Sequence, residues 1–154
     1  MKLFFIIVSA LVFFYFVLPW LLALLAATGC LDDVMRAKMK YTGKRTPDGA
    51  LVRVEHERNA TLLPLRTDLR NHSPTGFEWG YAGSGPAQLS LAICAHALKN
   101  DSRAQRVYQY FKARVVQNFR GDTWEITKEE VIQTVQKLEI ELAAQRQQPQ
   151  ERQQ

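Results

Sequence analysis

The chain has 154 residues, 20 Lys and Arg against 15 Asp and Glu, and a formal net charge of +5. That length allows one ordinary domain and not two. The basic excess is mild and unevenly spread, with six basic and one acidic residue between Lys99 and Arg120. Two cysteines, Cys30 and Cys94, do not make a disulfide framework, and His56, His72 and His96 are scattered without metal-ligand spacing. No metal and no cofactor is expected.

Residues 1–30 form a hydrophobic segment, with no charged residue after Lys2 and an apolar run from Leu3 to Ala27 broken only by Ser9 and Pro19. A spanning helix needs about 20 apolar residues, so this segment predicts a single N-terminal transmembrane helix. A basic juxtamembrane linker follows over 31–40. With Lys44 and Arg45 beyond it, the positive excess on that side places the following domain in the cytoplasm. Three other readings stay open. A secretory signal has a shorter core. A lipoprotein signal is suggested by Ala27-Thr28-Gly29-Cys30. Translation starting at Met35 or Met39 gives a cytoplasmic protein with no anchor.

The domain proper is read over 41–144. Tyr41–Arg45 and Leu51–Glu57 form a hairpin around the turn signal Thr46-Pro47-Asp48-Gly49. Thr61–Leu65 reads as a short edge segment, and Gly76–Gly80 as one more strand or an irregular turn. A buried helix runs from about Pro86 to Leu98, with Gly85 as its cap. A second runs from Ser102 to Phe119, with Ser102 and Gln105 as a capping box and Ala104, Tyr108, Phe111, Val115 and Phe119 as its apolar stripe. Thr123–Ile126 is a short strand or extended link. A third helix starts at the capping box Thr127-Lys-Glu-Glu130, with Ile126 and Val131 as a hydrophobic staple. From Gln145 to Gln154 a Gln-rich tail is too polar to bury anything and is expected to be disordered. The fold class is therefore α+β: a short antiparallel sheet followed by three helices, behind one transmembrane helix.

The most unusual stretch is Gly76–Pro86, rich in glycine and aromatics and feeding directly into a helix. Glu78, Trp79, Tyr81, Gly83, Ser84 and Gly85 are candidate binding residues there. Glycines at a helix N-terminus offer free N–H groups for an anion or phosphate. Pro86 removes one of those donors, and no P-loop lysine follows. Arg103, Arg106 and Arg114 on the second helix are candidates for a partner, nucleic acid or phospholipid. No catalytic constellation is found; an enzyme using Glu78 and Ser84 is the weakest of the readings.

The segments TGFEWGYAGSGPAQLSLAICAHAL, YQYFKARVVQNF and WEITKEEV, with Tyr41-Thr-Gly43-Lys-Arg45 ahead of them, resemble a family of small proteins catalogued as domain of unknown function 6166. The resemblance covers about residues 39–131. It implies an origin in bacteria, phages or mobile elements, implies no activity, and makes Gly76–Pro86 the family's distinguishing segment. The reading that follows is a membrane-anchored, non-enzymatic accessory protein that binds a protein partner through Gly76–Pro86 or the basic helix. The alternative is a cytosolic nucleotide- or nucleic-acid-binding module.

Overall fold

The computed structural model describes residues 13–17, 19, 39–57 and 59–151. The chain divides into two units, Met1–Ala37 and Lys38–Gln154. In the first, the described part is a π-helical turn, Phe13–Val17. The expected transmembrane helix, and the membrane localisation that rested on it, are not upheld. Among the described residues no helix is long and apolar enough to cross a membrane. Most of the apolar run lies outside the described residues, and five π-helical residues fall far short of the ~20 that a span requires. Apolar length governs how a segment partitions. A span also needs one continuous helix that pairs every backbone group.

In the second unit, four strands form an antiparallel sheet: β1 (Lys40–Thr46), β2 (Gly49–His56), β3 (Asn59–Leu62) and β4 (Thr123–Thr127), in the order β3-β2-β1-β4. The β1–β2 hairpin turns through Pro47-Asp48, with Thr46 paired to Gly49 as the turn signal requires. Alternation then assigns the faces. Tyr41, Val52, Val54, Trp124 and Ile126 are buried on the inner face. Lys44, Arg53 and Glu125 are exposed on the outer face. Gly76–Gly80 is irregular rather than a strand.

Three helices complete the unit: α1 (Ser84–Leu98), α2 (Asp101–Arg114) and α3 (Lys128–Glu151), with a 3₁₀ turn at Val116–Asn118. Helix α1 is buried nearly all round, as its largely apolar composition requires, with Gln88 and Ser90 as buried polar exceptions. It begins two residues earlier than expected, with Gly83 rather than Gly85 at the cap position. Helix α2 is capped by Asn100, whose Oδ1 accepts from the Arg103 amide at 2.9 Å. That displaces the expected box at Ser102, because Asn is at least as good a cap as Ser and stands at the earlier position. The Thr127–Glu130 box forms in both directions. The Thr127 amide donates to Glu130 Oε2 at 2.8 Å, and the Glu130 amide to Thr127 Oγ1 at 3.2 Å. Val131, Val135 and Leu138 carry the buried face of α3. The helix continues to Glu151, through the stretch from Gln145 expected to be disordered. Gln, Arg and Glu are good helix formers and extend a helix that has already nucleated.

The chain order places β4 between α2 and α3, yet it pairs with β1, Gly43 opposite Trp124. The sheet is thus closed by a strand arriving from the far end of the sequence, and the Trp124 indole lies against the Gly43 backbone, where any Cβ would collide with it.

Candidate functional site

The Gly76–Pro86 segment is held by one arginine. Arg45, the inward-facing residue near the end of β1, donates through Nε and Nη2 to Glu78 Oε2 at 3.3 and 3.1 Å, and through Nη2 to the Trp79 carbonyl at 3.0 Å. Its Nη1 reaches the Gly121 carbonyl at 2.9 Å and Asp122 Oδ1 at 3.4 Å. Trp79 is 1% exposed, and its indole N–H also donates to the Gly121 carbonyl at 3.1 Å. Gly80, at φ +85°, turns the chain so that its amide reaches the Val116 carbonyl at 3.1 Å. The ring of Tyr81 occupies the space beside Gly83, and Glu78 Cβ lies 2.6 Å from where a Gly85 Cβ would stand. The glycines here admit the segment's own side chains. Tyr81 and Ser84 are exposed, Glu78 is half-buried, and Trp79 and Gly85 are buried.

Two of the four cations of the basic helix are paired. Arg103 makes a two-pronged contact with Glu139 at 2.8 and 2.7 Å, and Arg114 pairs with Glu141 at 2.7 Å. Glu139 is accordingly held below the usual carboxylate range by Arg103. Arg106 remains exposed on α2 without an ion pair among the described residues. The structure thus divides the expected binding residues between a clasped loop and a helix in which Arg103 and Arg114 are compensated by acids of α3 and Arg106 is not.

A third surface was not anticipated from sequence. The outer face of the sheet is an open trough of about 550 Å³, lined by Thr42, Lys44, Leu51, Arg53 and Glu55 among others. At one end Lys40 bridges two carboxylates, Glu125 at 3.0 Å and Glu55 at 3.5 Å, and Thr42 donates to Glu55 at 2.8 Å. At the other end Lys44 and Arg53 lie diagonally across the β1–β2 ladder, with no acidic partner among the described residues. The signal available in the sequence was alternation, which puts 42, 44, 51, 53 and 55 on one face. That no described helix covers the face is not readable from it.

Among the described residues no group of three or more His, Cys, Asp or Glu could hold a metal ion. Cys94 is fully buried, and desolvation pushes its thiol above the ordinary range, which makes it a core residue.

A four-stranded antiparallel sheet with helices packed on one face, one open face and a clasped glycine-aromatic loop defines a small α+β domain. The chain belongs to the family of unknown function DUF6166, whose model matches residues 41–137. That span runs from the first core residue of β1 into α3 and includes the Arg45 clasp and all of the sheet but Lys40. Comparison with curated proteins and with solved structures finds no match.

Proposed function

We propose that the domain is a non-enzymatic nucleic-acid-binding module that contacts the sugar–phosphate backbone through the open face of its sheet. The observation that carries this reading is the pair Lys44 and Arg53: two cations diagonal to each other in a trough, neither of them in an ion pair among the described residues, while the carboxylates of the same face, Glu55 and Glu125, are engaged by Lys40. Like charges held in adjacent positions repel, and a phosphate lying between them relieves that repulsion. Leu51 beside them offers an apolar floor for sugars. No aromatic side chain belongs to the outer face of the strands, so base stacking is not part of this mode and binding is tolerant of sequence. The chain's net charge of +5 supports encounter with a polyanion.

The test is fluorescence anisotropy of a labelled single-stranded oligonucleotide against salt concentration. The wild-type domain binds with an affinity that falls as salt rises, and K44A/R53A binds more weakly with a flatter dependence, by about 0.7 in the logarithmic slope for each lost phosphate contact. Unchanged binding in that variant, or no salt-sensitive binding in the wild type, overturns the reading.

A further inference from the structure

We propose that Arg70, His72 and Lys112 form a binding site for a phosphate group, distinct from the sheet face and built on α2. The core of the arrangement is Tyr108. Its hydroxyl accepts from Arg70 Nη1 at 3.0 Å and lies 2.8 Å from His72 Nε2. With the Tyr108 proton directed to Nε2, the phenol oxygen can accept from Arg70, and the imidazole carries its own proton on Nδ1. That Nδ1–H has no hydrogen-bond partner among the described residues and is not fully buried. Lys112 stands one turn beyond Tyr108 on the same helix face and acts on His72 through space.

The segment carrying Arg70 and His72 is fixed in place. Gln88, fully buried on α1, accepts from the amides of His72 at 2.7 Å and Ser73 at 3.2 Å, and donates to the Leu65 carbonyl at 2.6 Å. On the other side of the segment, Arg66 ties Asp68 to Asp101 of α2 at 3.1 and 2.7 Å, so both of those carboxylates are paired. What remains is a guanidinium and an imidazole meeting at the Tyr108 hydroxyl, with the Lys112 ammonium one helical turn from Tyr108 and no ion pair to any of the three among the described residues. Arg70 keeps its Nη2 and Nε donors, and Nδ1–H and Lys112 Nζ supply two more. This donor set matches the several acceptor oxygens of a phosphate. It does not suit a cation or an apolar ligand.

The test follows the His72 imidazole by ¹H–¹⁵N NMR in the full chain while inorganic phosphate is added at constant ionic strength, with chloride as the control and adenosine monophosphate as a second probe. Phosphate is expected to shift the His72 signals saturably. R70Q and K112Q should each weaken the response about tenfold. Equal affinity for the two probes assigns recognition to the phosphate group alone, and tighter binding of the nucleotide assigns it to a phosphate carried on a nucleoside. A linear response, one matched by chloride, or one unchanged in both variants overturns the proposal. K112Q leaves the Tyr108 contacts intact, so any loss it causes is not a loss of fold. Failure here leaves the sheet-face reading untouched, since neither Lys44 nor Arg53 is involved.

Discussion

The guanidinium of Arg45 lies over the ring of Trp79, 4.5 Å from its centroid, while its nitrogens bind the Trp79 carbonyl and the neighbouring Glu78 carboxylate. One side chain from the first strand therefore holds the loop that precedes α1 and, through Gly121 and Asp122, the turn that precedes β4. Arg45→Ala removes the cation–π contact and hydrogen bonds to two backbone carbonyls. It is expected to destabilise the domain by about 2 kcal/mol, measured by urea denaturation. Arg45→Lys should recover little of the loss, because a single ammonium cannot reach these acceptors as a fork.

Gly43 is required for a different reason. Its backbone is in contact with the Trp124 indole, whose Nε1 is the one buried side-chain polar atom without a partner among the described residues. Gly43→Ala places a methyl group against that ring and should cost about 1–3 kcal/mol. Trp124→Phe in the same background should recover part of it, since the smaller ring vacates the Nε1 position. Thermal unfolding of the single and double variants reads the coupling.

Gln88 is a polar residue inside an otherwise apolar helix, and its amide holds the 65–73 segment by three hydrogen bonds. Gln88→Leu preserves the bulk but leaves two amides and a carbonyl without partners, at a cost of about 3 kcal/mol. The loss should be localised. Hydrogen exchange at the His72 and Ser73 amides is expected to accelerate more than exchange in β1 or β2.

Stability should fall on mild acidification. His72 is held below the ordinary histidine range by burial and then by Arg70 and Lys112; His96 is held down by burial and then by Lys128 and Lys99. His96 Nδ1 lies 2.9 Å from the hydroxyl of the buried Tyr41, which suits a neutral ring accepting that proton. The unfolded chain takes up these protons near pH ~6.5, above the folded pKa values. The unfolded state therefore binds more protons in that window, and stability rises with pH across it. The loss begins as pH drops through ~6.5 and levels off below the folded values. Denaturation midpoints between mild acid and neutrality should show this slope, and His72→Gln and His96→Gln should each flatten it.

Much of this domain follows from local pattern. Alternation and the Pro47-Asp48 turn determine the β1–β2 hairpin. A mostly apolar composition determines a buried α1, and the Thr127–Glu130 box determines where α3 begins. These are effects within a few residues, and a linear reading captures them. The same reading leaves the glycines of Gly76–Pro86 open between a tight turn and room for an anion, and Tyr81 and Glu78 fill that room; it leaves Arg103 and Arg114 open between a solvated face and a binding surface, and Glu139 and Glu141 compensate them. Each of those partnerships joins separate elements or a folded-back loop. The apolar N-terminal run shows the opposite limit, since composition set an expectation of a membrane helix that the described residues do not support. What the sequence alone determined is the set of strands and helices and their buried faces. Tertiary structure decided the pairing of β4 with β1, the Arg45 clasp, the convergence on Tyr108 and the uncovered face bearing Lys44 and Arg53. The reason is that charge compensation and exposure depend on which distant groups meet, and local periodicity carries no information about that.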